Sequence, residues 1–185
     1  KIKKNKIYNL NLSSNFSQNE KLFLKIKINK DKTVITNFYS DRAKPFVKKY
    51  KFIKGFEGGH IDFQSIKKNN LTNSKLIIDN FKVQEVPILA KILTLASLQG
   101  IADLLTGEGI RFTDFEMLYS KEDNLTKIEE IYCIGPAVSI MMDGYIENDN
   151  LISLRGTLVP ATTINRTISS IPLLGDILVG KKVGE

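Results

Sequence analysis

One cysteine, one histidine and no tryptophan in 185 residues leave this chain short of the side chains that carry covalent, redox and metal chemistry. A lone Cys133 excludes an internal disulfide, and with His60 as its one possible imidazole partner a zinc site is implausible. His60 stands in Gly-Gly-His-Ile-Asp-Phe with no partner group marked out by spacing, so it reads as a strand or hairpin histidine and not as a general base. Gly55, Gly58 and Gly59 lack the Lys-Ser/Thr that completes a phosphate loop, and Gly107-Glu108-Gly109 opens a strand where a dinucleotide fingerprint needs a helix and a third glycine. Asp62, Asp79, Asp103, Asp114 and Asp143 sit on separate elements without metal-ligand spacing. We therefore expect no catalytic residue, no cofactor, no metal and no enzyme.

Positive charge is present but lopsided. Residues 1–85 hold 19 Lys/Arg and 7 Asp/Glu, a net +12, whereas residues 86–185 hold 8 and 13, a net −5, so the chain's overall +7 belongs to its first half. Of the 27 basic residues 23 are Lys; arginine is scarce, no recognition helix carries the charge and no base-stacking aromatic motif appears, which excludes nucleic acid as partner. Two readings stay open. The lysines decorate solvent faces, or they attract an anionic lipid surface at about 1 kcal/mol per well-placed Lys.

What the chain does have is alternation. Residues 21–29 place Leu22, Leu24, Ile26 and Ile28 on one side and Lys21, Lys25, Lys27 and Asn29 on the other, a half-buried antiparallel strand with Phe23 as the exception. Further strands are expected at 7–13, 33–39, 50–56, 60–66, 75–83, 110–119, 127–134, 137–146 and 151–159. Residues 29–32, 121–124 and 147–150 are polar turns, 43–49 with Pro45 is a short helical turn or an edge crossing, 69–74 is a polar loop, and Glu57-Gly58-Gly59 reads as a hairpin connection. Two local irregularities stand out. Residues 75–83 are apolar on both parities, which suggests cover on both faces, and the apolar parity of 110–119 changes from Ile110 and Phe112 to Phe115, Met117 and Tyr119, which suggests a bulge near Thr113-Asp114.

Residues 86–109 break this pattern. Pro87 suits a first helical residue and Gly107 a helix stop, so a helix over 87–105 is expected, about 28 Å long at 1.5 Å per residue. Leu93, Leu98, Ile101, Leu104 and Leu105 share one side of it, with further apolar residues interrupting the polar side. Lys91, Gln99, Gly100 and Asp103 disfavour a membrane span, and leave a helix packed against the sheet or lying at an interface. A looser second version, residues 162–179, follows Val159-Pro160 and is split by Pro172 and Gly175.

Three blocks carry a resemblance. Residues 79–112 (with P-I-L-A, S-L-Q-G-I and L-T-G-E-G), 134–146 (I-G-P-A-V-S-I-M-M-D-G-Y-I) and 154–180 (with G-T-L-V-P, N and I-P-L-L-G) together resemble the AsmA-like C-terminal region of proteobacterial envelope proteins of the YhdP type, collinearly from about residue 56 to 180; residues 1–50 match by strand alternation alone. The resemblance implies a periplasmic segment of a protein anchored to the inner membrane outside this stretch. It further implies a curled sheet whose apolar groove lets phospholipid acyl chains slide between inner and outer membranes.

The expectation is thus a single domain over 1–185, a piece of a longer chain, mainly β with two helical segments: a curved antiparallel meander forming an apolar groove. It divides into a basic strand-rich part (1–85), a helix (86–109), strands (110–160) and a terminal helical segment (161–180). Alternation names Leu24, Ile26, Ile28, Val138, Ile140, Met142, Ile152 and Leu154 as groove-lining, with Leu93, Leu98 and Ile101 from the helix. Phospholipid is the expected partner, a membrane surface or envelope proteins are further ones, and oligomeric state is left open. The competing expectation is a structural capping or docking module that closes the groove or binds an envelope partner without holding lipid.

Overall fold

A computed structural model of the chain describes residues 2–3, 6–47, 55–84, 109–148 and 151–160, with side chains from Tyr8 onward. Both expected helices, at 87–105 and 162–179, lie outside the described residues. Those described are mainly β: two short strands, β1 (Ile2–Lys3) and β2 (Lys6–Ile7), pair with each other, and nine more form one sheet. These are β3 (Asn9–Asn15), β4 (Lys21–Ile28), β5 (Val34–Ser40), β6 (Glu57–Lys68), β7 (Leu71–Val83), β8 (Ile110–Glu122), β9 (Leu125–Ile134), β10 (Val138–Glu147) and β11 (Leu151–Pro160). A four-residue helix, α1 (Lys44–Val47), follows β5.

The sheet is a pure meander. Every strand pairs antiparallel with its sequence neighbour, in the order β11-β10-β9-β8-β7-β6-β5-β4-β3, and it is not closed, so β3 and β11 are its edges. Consecutive alternating strands joined by short polar turns give this outcome, because antiparallel neighbours need only a tight reversal. The turn between β4 and β5 shows the chemistry: the Asp31 carboxylate accepts from the Thr33 N–H (3.1 Å) and Thr33 Oγ1 (2.8 Å), while Lys32 takes a left-handed φ of 66°.

Several sequence expectations are corrected. Glu57, Gly58 and Gly59 are not a hairpin connection but the first residues of β6, paired along β7 with Glu57 opposite Lys82 and Gly58 opposite Phe81. The polar loop at 69–74 shrinks to a turn at Asn69-Asn70, with Asn69 at φ 54°, and 71–74 belong to β7. Hydrophilic side chains there misled because Thr72, Asn73 and Ser74 are polar on both faces of the strand and leave no alternation to read.

The two parity irregularities have one cause. The pairs Gly59/Asn80 and Asn80/Thr113 are missing from ladders that otherwise keep constant register, with His60 opposite Asp79 and Asp79 opposite Asp114 on one side of the gap, Phe81 opposite Phe112 on the other. Gly58, Gly59 and Asn80 adopt φ of 71°, 77° and 52°. This line of distortion crosses β6, β7 and β8 and flips their side-chain parity together: Ile61, Ile78 and Phe115 on one side of it share a cluster with Phe56, Phe81 and Phe112 on the other. Residues 75–83 are therefore apolar on both parities chiefly because the strand changes face midway, with Ile77 alone left on the opposite side. In β8 the parity change occurs without an inserted residue; the actual bulge residue is Glu129 of β9, where the ladders to β8 and β10 both slip by one.

The packed core gathers at one end of one face. Ala43 and Val47 from the α1 region meet Phe56, Ile61, Ile78, Phe81, Val83, Ile110, Phe112, Cys133 and Val138. Phe81 is its hub, stacked on Phe56 (5.2 Å between centroids) and Phe112 (5.5 Å) and edge-on to Phe115 (6.5 Å). The same end receives the ends of β7 and β11 and the start of β8.

Candidate functional site: an apolar sheet face

Residues paired across a sheet point to the same side, so the registers define which side chains share a face. Leu12 pairs with Leu24, Leu24 with Phe38 and Phe38 with Phe63; the row continues through Leu76, Met117 and Ile131 to Met142 and ends at Gly156. One row of apolar side chains thus crosses the eight strands from β3 to β10. A neighbouring row toward the packed end contains Leu22, Ile61, Ile78, Phe115, Cys133, Ile140 and Leu158.

Of the residues named from alternation, Leu24, Ile26 and Ile28 of β4, Ile140 and Met142 of β10, and Ile152 and Leu154 of β11 lie on this one face. They sit near its two edges, with β5 to β9 between them. Val138 shares the face but is fully buried in the packed cluster, so it serves as core and not as lining. Leu93, Leu98 and Ile101 lie outside the described residues.

Exposure on the face rises toward the sheet edges: Ile110 of β8 is 2% and Ile128 of β9 4% exposed, whereas Leu12 of edge strand β3 is 46%, and Leu154 and Ile152 of edge strand β11 are 41% and 60% exposed. Among the described residues, α1 is the one element outside the sheet that contributes to the packed cluster. Cys133 also belongs to this end, and burial first, then the Asp114 carboxylate, pushes its thiol far above the ordinary range.

The opposite face is mixed, carrying exposed Phe23, Ile66, Leu125 and Leu151 among its polar and charged side chains. Lys21, Lys25 and Lys27 point there, so the β4 lysines are separated by the sheet from the apolar rows on the same strand. Lys75 forms an ion pair with Glu116 at 2.6 Å, and Tyr132 donates to Glu116 at 3.0 Å. The Tyr132 hydroxyl is raised to about 12 by burial and by that carboxylate. Asp79 is raised by burial, an effect opposed by His60 and reinforced by Asp114, Asp62 and Glu116. A hollow of about 380 Å³ lined by Ile35, Asn37, Gln64, Ile66, Lys75 and Leu118, among others, also opens here. Among the described residues no His/Cys/Asp/Glu group is arranged to hold a metal, and no helix is long and apolar enough to cross a membrane.

Sequence reasoning missed an interruption of the apolar face. Toward the tight-turn end, the central strands place Thr36, Ser65 and Ser74 in one row and Lys67, Thr72, Lys121 and Thr126 in the next, while Ile28 and Val34 on one flank and Ile146 and Ile152 on the other keep that last row apolar. The signal was available: Lys67 shares parity with Ile61 and Phe63, and Lys121 with Met117. Comparison with family models, curated proteins and solved structures finds no match to this chain.

Proposed function

We propose that this chain is a non-catalytic, lipid-handling segment of an AsmA-like envelope protein, whose apolar sheet face shields phospholipid acyl chains as they pass between inner and outer membranes. The observation that carries the reading is the apolar row running across eight strands from Leu12 to Met142, most of it half-buried, with Leu12 exposed at the sheet edge. A strip of half-exposed Leu, Ile, Phe and Met is costly in water at roughly 25 cal/mol per Å², and acyl chains are ligands that need no directional bonds from it. An unclosed meander supports a trough-like reading, since a sheet with free edges can curl around a chain and extend by adding strands. The parent protein would be anchored in the inner membrane with this part in the periplasm, a setting supported by the sequence resemblance alone.

A photo-crosslinking residue placed at Leu24 or Met142, on the apolar face, should give phospholipid adducts in cells, while the same residue at Lys25, on the opposite face, should not. Absence of adducts from every apolar-face position, with phospholipid also absent from extracts of the purified protein, overturns the reading. That result would favour the capping or docking module, in which the face is covered by protein.

A further inference from the structure

We infer that the polar interruption in the apolar face is a headgroup seat: Lys67 and Lys121, flanking Thr72, hold the anionic phosphate of an amphiphile whose acyl chain lies on the adjacent apolar rows. The inference rests on the lipid-handling reading and adds to it a polarity and a headgroup preference.

The geometry follows from register. Lys67 of β6 and Lys121 of β8 both pair with Thr72 of β7. They therefore flank one strand, with axes roughly 9–10 Å apart. Both are exposed, and both are long, flexible cations able to converge on an anion above the Thr72 hydroxyl. Lys121 already engages a neighbour within the protein; what the seat requires of it is charge at that position. The surroundings are basic on the β4 to β6 side: Lys30 and Lys32 in one turn and Lys68 at the end of β6 lie at the same end of the sheet. Asp31 between them already accepts from the Thr33 N–H and hydroxyl.

The row chemistry fixes the orientation. Moving from the seat toward the packed end, a phosphate at Lys67/Lys121 is followed by the half-buried Ser65 and Tyr119 hydroxyls, with the buried Ser74 between them, suited to ester and glycerol oxygens, and then by Phe63, Leu76 and Met117. That order of charged, polar and apolar side chains matches the order of groups along a phospholipid. Elsewhere on the face no such gradient occurs among the described residues, because Ile26 and Ile28, or Ile146 and Ile152, leave the corresponding rows apolar to the end.

The test uses monomeric amphiphiles with the intact chain: lysophosphatidylglycerol, lysophosphatidylcholine and inorganic phosphate, by calorimetry or tryptophan-free fluorescence displacement. The wild type should bind lysophosphatidylglycerol at least about tenfold tighter than lysophosphatidylcholine, a preference weakened by salt. Lys67→Gln/Lys121→Gln should level the two, and Lys67→Arg/Lys121→Arg should retain the preference. A wild type that binds both equally, or a Gln variant that keeps the preference, overturns the seat and leaves the lipid reading standing. Phosphate that displaces lysophosphatidylglycerol at comparable affinity makes the site one for free phosphate and also overturns it. Failure to bind either amphiphile overturns the lipid reading and the seat together. Circular dichroism and urea midpoints of the variants guard against misfolding, which exposed lysines should not cause.

Discussion

The two ends of the apolar face are made from the same alternation of side chains and yet behave oppositely. At one end Ile110, Phe112 and Val138 are at most 3% exposed beneath the region of α1 and Phe56; toward the other, Ile152 on the same face is 60% exposed. The difference lies in the connections and in the edge position of β11, since Ile128 of the internal β9, also away from the packed cluster, is 4% exposed. Tight polar turns such as Asn69-Asn70 and Asp123-Asn124 have no side chains to lay over the sheet, whereas the segment after β5 brings Ala43, Val47 and Phe56 across it. A face that is apolar apart from the interruption at Lys67, Thr72 and Lys121 is thereby divided into a core and a more exposed surface.

Breaking the packed end should have the largest effect. Phe112→Ala removes a ring stacked on Phe81 and should cost about 3–5 kcal/mol, read from urea unfolding. Next comes the backbone device behind that core. Gly59 has φ 77°, and a Cβ there would stand 3.1 Å from the Phe81 Cβ and 3.3 Å from the Ala43 Cβ, so Gly59→Ala should cost about 1–3 kcal/mol by the same measurement. At the far end Ile152→Ser should change stability by less than about 0.5 kcal/mol, the range of ordinary surface changes, while reducing recovery of bound phospholipid. Loss of folding there would show that the exposed region is core after all.

Two smaller effects sharpen the same contrast. Cys133, a buried thiol held protonated, should resist a thiol reagent at pH 8 until denaturant is added; rapid labelling of the folded protein would mean that the packed end opens. On the opposite face, Asp79 is raised by burial, so the folded state holds its proton more tightly than the unfolded state. Its contribution to stability therefore falls as pH rises from the ordinary carboxylate value of 3.8 through the raised one. Asp79→Asn should give a small rise in melting temperature at pH 7 that disappears below pH 3.8, and a variant less stable at neutral pH would contradict this.

Much of the sheet was legible because strand periodicity is local. The residues of β4, β5, β10 and β11, the α1 turn and most polar reversals follow from alternation and turn chemistry. The misreadings share a physical origin. Gly58-Gly59 and Asn80 look like turn residues because they adopt left-handed φ, but they use it to flip faces within continuous strands. Glu129 bulges without any compositional mark. Lys67 was read with the general charge of the first half and Lys121 with the polar turn 121–124, although 121–122 belong to β8; a lone lysine says nothing until parity and pairing place it.

By itself, then, the sequence determined the repertoire: alternating strands, a shortage of catalytic side chains and a basic first half, all consequences of residue type and local spacing. Only the tertiary structure decided that the strand registers align into one apolar row, that the β4 lysines face away from it while Lys67 and Lys121 share its face, and which end is packed. Those outcomes depend on pairing between strands and on a distortion shared by three of them, and such cooperation has no representation in any single stretch of chain.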